Sequence, residues 1–151
     1  MTDMTITAVR TTMLRVPWPQ SRWLKGHAFG DARNILVLEV ETKGGTTGMG
    51  YLLLFRPGMR TIAACLDEAI IARVIGKDAA AIEAIWQDLW RATATYGRGG
   101  IAVMAMSVLD IALWDALGKR AKLPLHRLWG TIAPSCRLTA LDAFAAPAAT
   151  A

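Results

Sequence analysis

The sequence predicts an α+β domain, a three-stranded antiparallel meander followed by a helical bundle. Three observations predict it. The first fifty-odd residues alternate apolar and polar side chains around a Gly44-Gly45 pair, and from Met59 the apolar spacing changes to a helical period. Hydrophobic residues make up 54% of the chain and charged residues 19%, enough to bury a core and too apolar for a disordered tail. At 151 residues, one domain with a short appendage is the expectation.

The first strand is TITAVRTTMLRVPW, with Ile6, Ala8, Met13 or Leu14, and Val16 on its half-buried face; Pro17 and Pro19 end it. Pro19 to Arg33 has no period and two glycines, a loop of about fifteen residues, the length at which loops tend to carry function. In NILVLEVETKGGTTGMGYLLLF, Ile35, Val37 or Leu38, and Val40 form the second strand. Gly44-Gly45 makes the turn, because glycine tolerates the positive φ of a tight hairpin, and Thr47 to Phe55 returns as the third strand.

Ile62, Leu66, Ala69, Ile70 and Val74 then fall on one helical face, and Gly76 stops that helix. A second helix spans Ala79 to Thr93 with Asp78 as its N-cap and a stripe of Ile82, Ile85, Trp86, Leu89 and Trp90. After YGRGG a third runs from Ile101 to about Lys122, apolar on more than one face and so expected to be buried on more than one side. Leu123-Pro124-Leu125 ends it, and a short turn holds Leu128 and Trp129. Cys136 to Leu141 could form one more strand, and the Ala/Pro/Thr end is expected to fray.

The formal net charge is +5, but the cations are scattered; the one cluster, Lys119, Arg120 and Lys122, sits where it complements a helix carboxyl end. Nucleic acid is therefore not expected as a partner. Asp110 and Asp115 interrupt the longest apolar stretch, which argues against a membrane span. Cys65 and Cys136 have no metal-like spacing, and the N-terminus has no signal-peptide core. A reducing, cytoplasmic compartment is the expectation.

Few residues invite a chemical reading. TKGGTTGMG matches no phosphate-binding fingerprint and reads as the hairpin turn. Gly97-Arg98-Gly99-Gly100 precedes a helix and could receive an anion, but a tight helix-to-helix turn is the preferred reading. Asp110 and Asp115 point roughly 140° apart on a helix and cannot share one atom or metal, so each is expected to bind backbone or an arginine. His27 lies in the long loop beside Trp23, Lys25 and Phe29, where it either reaches a substrate carboxylate or is an ordinary polar loop residue. No HxxE, HExxH, CxxC or GxSxG pattern occurs.

Three segments together resemble the mandelate racemase/muconate lactonizing group of the enolase superfamily: LVLEVETKGGTTGMGY, VIGKDAAAIEAIWQDLW and MAMSVLDIALWDALGKRAKLPLHRLWG. The last is similar to the family string A-x-S-x-x-D-x-A-L-W-D-x-x-G-K through Ser107, Asp110, Leu113, Trp114, Asp115, Gly118 and Lys119, then Pro124, Leu125 and Gly130. The resemblance implies a domain over 1–130 that caps a (β/α) barrel, with 131–151 holding a barrel-strand remnant and a tail. It implies a Mg²⁺-dependent acid-sugar dehydratase or hydroxy-acid racemase that abstracts the α-proton of a small carboxylate. In such an enzyme the barrel supplies metal ligands and base, and the cap supplies specificity loops. By position these are Pro19–Arg33 and the region Tyr51–Arg56, giving Trp23, Lys25, His27, Tyr51 and Arg56 as candidate substrate-binding residues, with no catalytic or metal residue in this chain.

A barrel needs about 200–250 residues, and about twenty follow Gly130. The expectation is thus a truncated or frameshifted product, inert and binding no Mg²⁺ alone, that self-associates through apolar surface around Trp114 and Met106. The alternative is a free-standing α+β module that holds a small acid or a protein partner through Trp18, Trp23, His27 and Phe29.

Overall fold

The computed structural model describes residues 3–17, 32–54 and 58–130. Strands β1 (Ile6–Pro17), β2 (Ala32–Thr42) and β3 (Thr47–Leu54) form one antiparallel sheet in the order β1-β2-β3. Helices α1 (Met59–Cys65), α2 (Ile71–Val74), α3 (Ile82–Ala92), α4 (Ile101–Ala121) and α5 (Leu125–Leu128) follow. The candidate strand from Cys136 to Leu141 lies outside the described residues.

Alternation in β2 settles which side chains face inward. Leu36, Leu38 and Val40 are fully buried against the helices, while Ile35 and Val37 take the outer face. Of the two phases the sequence left open, that of Leu38 and Val40 is the buried one. Two corrections follow. Ala32 and Arg33 belong to β2 rather than to the preceding loop, because β1 continues to Pro17 and pairs there with Ala32. Met13, Leu14 and Val16 are exposed, since β1 from Thr12 onward extends past the core and only Ile6 on this strand is fully buried.

At the hairpin, the Gly45 amide donates to the Thr42 carbonyl at 2.9 Å, and only Gly45 of the glycine pair adopts positive φ. Thr42 closes the turn, its hydroxyl donating to the Thr46 carbonyl at 2.9 Å and accepting from the Thr46 amide at 3.1 Å. This end of the sheet is tied off by backbone bonds. Gly44 and Lys43 donate to Asp3 and Thr5, and Ile6 and Ala79 bond Lys77 and Met4, joining the strand start to the α2–α3 connection.

The first helical stretch is not one helix. Residues Leu66–Ile70 form a π-turn between α1 and α2. Leu66, Ile70 and Val74 are all fully buried, and they are four residues apart. On an ideal helix each such step rotates by about 40°, and the wider turn removes that drift. The apolar period marks the buried face but carries no mark of the turn. Helix α3 likewise starts at Ile82 rather than Ala79: Asp78 accepts from the Ala80 amide at 2.9 Å and builds a turn ahead of the helix instead of capping it.

Helix α4 is the central element. Ala102, Ala105, Met106, Val108, Leu109, Ala112, Leu113 and Ala116 are buried over an arc of about 160° at 100° per residue, and Gly118, on another side, is buried under Leu125. The opposite side leaves Met104 and Ile111 exposed. Met106, expected at the surface, is 1% exposed and packs where the Thr93 hydroxyl reaches its sulfur. By length and composition α4 would cross a bilayer, but its apolar arc is occupied by the sheet and α1.

What brings α4 so close to β3 is the pair Gly48 and Gly50. A β-carbon on Gly48 would run into the Ala112 carbonyl and lie 2.7 Å from the Ala116 methyl, and one on Gly50 would meet the Val108 carbonyl. Asp115 clamps the contact: its carboxylate accepts from the Met49 amide at 2.8 Å and pairs with Lys119 at 2.6 Å, and Lys119 also donates to the Thr47 carbonyl at 2.9 Å. Asp115→Ala removes the acceptor of an edge-strand amide and is expected to cost about 1–2 kcal/mol. Asp115→Asn keeps an oxygen there and should cost less. Urea unfolding of both variants checks this, and equal losses would show that the amide bond is not the contribution that matters.

Candidate functional site at the open end of the sheet

Register fixes where the two candidate loops begin. Pro17 pairs with Ala32, and Asn34 pairs with Leu54. Segments 18–31 and 55–57 therefore leave from the same end of the sheet, opposite the tied-off hairpin. Trp23, Lys25 and His27 belong to the first segment and Arg56 to the second; these four lie outside the described residues, as do Trp18 and Phe29. Tyr51 is described. It sits within β3 opposite Val37, as the expected third strand from Thr47 to Phe55 requires, because pairing with β2 persists to Leu54. Its side chain is 60% exposed on the outer face, between Met49 and Leu53. That places it about 10 Å along the strand from the rim.

Arg33 stands at this rim and is only 4% exposed, with an interaction partner that a buried guanidinium requires. Sequence reasoning missed it, since Arg33 is out of phase with Leu36, Leu38 and Val40 and was assigned to the loop.

A second feature lies between α3 and α4, where Ala80, Ile82, Glu83, Trp86, Asp110, Trp114 and Leu117 line a cavity of about 450 Å³. Burial, and then the charge of Glu83, pushes the Asp110 carboxyl above its usual range. The two aspartates of α4 do diverge as their spacing predicts, Asp115 to β3 and Asp110 to this groove. Asp110, expected to meet backbone or an arginine, shares this groove with the like-charged Glu83. The Gly97–Gly100 segment behaves as a turn: Arg98 donates to the Trp90 carbonyl at 2.7 Å and lies 4.6 Å from the Trp90 ring centre, closing the end of α3.

The sheet has three antiparallel strands, its glycines seat a helix carrying two diverging aspartates, and Pro17, Ala32 and Leu54 share one rim. The family model for the mandelate racemase / muconate lactonizing enzyme N-terminal domain matches residues 4–130. The chain belongs to this family.

Among its relatives is the 3,6-anhydro-alpha-L-galactonate cycloisomerase of Streptomyces coelicolor, 36% identical over 129 residues, which are 85% of this chain and 36% of the relative. A D-mannonate dehydratase of Xanthomonas oryzae pv. oryzicola is 41% identical over 98 residues, 65% of this chain and 23% of that protein. In structure, a Streptomyces coelicolor racemase with bound magnesium superposes with a TM-score of 0.78 at 37% identity, covering 85% of this chain and 36% of that one. L-Talarate dehydratase from Polaromonas, complexed with Mg and L-glucarate, gives 0.75 at 33% identity over 88% of this chain and 34% of its own. The chain thus spans about a third or less of the length of the family members it matches.

Magnesium occurs in those two structures. The described residues do not fit it: no three of their His, Cys, Asp or Glu side chains come together as a metal site, and the Glu83–Asp110 pair alone would leave such an octahedral ion short of ligands. No step through the ion is therefore derived from this domain.

Proposed function

We propose that this chain is the capping, specificity-setting portion of a Mg²⁺-dependent enzyme that dehydrates acid sugars or racemises hydroxy acids by removing the α-proton of a carboxylate substrate. The observation that carries the reading is the register, which starts segments 18–31 and 55–57 side by side at one rim of a family N-terminal domain. Relatives named for sugar-acid dehydration and cycloisomerisation support the substrate class.

In this reading Lys25 and Arg56 hold the anionic or hydroxylated end of the substrate, His27 hydrogen-bonds it, and Trp23 and Tyr51 shield it from water. Base and metal ligands come from the polypeptide that makes up the rest of the relatives. The chain alone is accordingly without turnover and without tight Mg²⁺ binding, and its compartment is the cytoplasm.

The test replaces the N-terminal domain of the Streptomyces coelicolor cycloisomerase with residues 1–130. The chimera is expected to turn over a sugar acid, and His27→Ala within it to lower kcat/KM about tenfold, the loss of one charge-assisted hydrogen bond. Turnover of any carboxylic acid by the purified 151-residue chain would overturn the reading. Small-acid binding by that chain without turnover by the chimera would favour the free-standing module.

Self-association is part of the same proposal, with the sheet rather than α4 as its seat. Met49, Tyr51 and Leu53 stand exposed on one face of β3, with Leu14 and Val16 on the same face of β1, in place of the buried Met106. An apolar face of this kind favours a second copy. Tyr51→Lys with Leu53→Lys should shift the chain to monomer in sizing experiments; an unshifted profile would place the contact elsewhere.

A further inference from the structure

The outer edges of a three-stranded sheet carry unpaired backbone groups unless something closes them. On β3 the edge is closed by α4, where the Met49 amide donates to Asp115 and the Thr47 carbonyl accepts from Lys119. Because the Met49 amide points away from β2, the antiparallel register fixes the phase of the remaining residues. Gly48, Gly50 and Leu52 face β2, so Leu36, Leu38 and Val40 face β3, and Ile35, Val37 and Glu39 face β1. Leu14, Thr12 and Arg10 are the partners of these last three, which leaves Val9, Thr11 and Met13 with their N–H and C=O groups turned outward.

No other backbone or side-chain group among the described residues bonds these outward groups. The open stretch is bounded at both ends. At its start the outward groups of Ile6 are taken by Lys77 and Gly76, and at its far end β1 stops at Pro17. The midpoint of 7–17 is Thr12. Met13 is 51% exposed at this edge. Arg10, a charge that could guard the edge, is already paired with Glu41.

We propose that two copies of this chain pair their β1 edges antiparallel about a two-fold axis at Thr12, continuing the sheet across the pair. Thr11 then lies opposite Met13 of the second copy, Val9 opposite Arg15, Arg10 opposite Leu14, and Thr12 opposite its own equivalent. No like charges meet, and the two threonines form a favourable cross-strand pair. The second copy's Pro17 stops opposite Thr7, just short of the closed groups of Ile6. Neighbouring registers fit less well. A ladder centred on Thr11 drives Val16 into the place held by Gly76 and Lys77, and one centred on Arg10 sets two guanidiniums against each other. One centred on Met13 opposes Val9 to Pro17, which has no N–H to give. The edge complements itself, as a two-fold contact requires, and that commits the occupant to a second copy.

The inference rests on the self-association proposed above and adds a second contact to it, through different residues. A ladder between two edge strands buries less than the roughly 1,200 Å² of a stable interface. It does not hold two chains at sizing concentrations once Tyr51→Lys and Leu53→Lys have removed the outer-face contact, and it acts between chains which that contact has gathered. Disulfide trapping reads the ladder where it forms. In a Cys65→Ser, Cys136→Ser chain, Thr12→Cys sets two thiols across a non-hydrogen-bonded pair, with β-carbons about 4.5 Å apart, within reach of a bridge. Arg10→Cys, on the same face, holds its two thiols about 13 Å apart in the same ladder. Under mild oxidation Thr12→Cys is expected to form the covalent dimer about tenfold faster than Arg10→Cys or more, as disulfide geometry demands. Equal rates would overturn the proposal.

A second measurement needs no substitution in β1. In the 151-residue chain, amide exchange followed by NMR should find Thr11 and Met13 protected about tenfold or more over the Tyr51→Lys, Leu53→Lys chain, with the inward Thr12 amide protected in both. Fast exchange at Thr11 and Met13 in the parental chain overturns the proposal. So does protection there without the Thr12 bridge, which assigns the edge to another segment. A rapid Thr12 bridge in a chain whose sizing profile ignores Tyr51→Lys and Leu53→Lys supports the edge pairing and removes only the outer-face contact.

Discussion

Gly50→Ala is expected to cost about 3 kcal/mol or more, the upper part of the range for overpacking. The added methyl would collide with the Val108 carbonyl and come within 3.0 Å of the Ala112 amide nitrogen. Both are backbone atoms of α4, so no rotamer change relieves the clash, and the helix must lift from β3. Lifting it also loosens the Asp115 bond to Met49, which depends on the same approach. Gly48→Ala meets Ala112 and Ala116 in the same way. The two substitutions should therefore be far from additive when combined, since either one already opens the interface. Gly99→Ala is the control: nothing lies within 4 Å of its would-be β-carbon, and it should stay within about 0.5 kcal/mol of the parent. Urea unfolding with the m-value monitored measures all three, and an unchanged midpoint for Gly50→Ala would refute the close seating of α4.

The next largest effect concerns the two sides of the same helix. Leu109→Ala is expected to cost about 2–5 kcal/mol, because the side chain is buried in the cluster that joins sheet and helices and its removal leaves a cavity. Ile111→Ala, two residues on, should change stability by about 0.5 kcal/mol or less, as Ile111 is 45% exposed. In the sequence both are aliphatic residues in one apolar run, indistinguishable by composition. Comparable losses for the two would mean that something covers the outer side of α4 in solution, as a partner domain or second copy would. The pair thus measures both the core and the freedom of the face opposite it.

Much of the fold was legible because it rests on local chemistry. Strand alternation, the glycine turn, the helix stop at Gly76 and the long apolar helix each follow from a few neighbouring residues, and the structure places them within a few positions of the expectation. The misses share one cause. The π-turn and the burial of Met106 depend on what packs against those residues from distant parts of the chain, and so does the late start of α3, where the Ala79 amide bonds the Met4 carbonyl and Asp78 bridges Thr5. For the candidate site, the sequence named the loop residues from a resemblance, while the common rim from which their segments depart came from strand register. Arg33 and the Glu83–Asp110 groove had no sequence signal, since a charged residue becomes informative only once its burial is known.

By itself the sequence determined the succession of strands and helices and, through the ordered string from Ser107 to Gly130, the family to which the chain belongs. Tertiary structure alone decided that Gly48 and Gly50 are a seat for a helix rather than part of a loop, that Asp115 holds a strand, and that Asp110 faces an acidic cleft. The physical reason is range. Backbone preference and hydrophobic period are written in residues a few positions apart, whereas steric contact and the value of a charge depend on atoms that only the folded chain brings together.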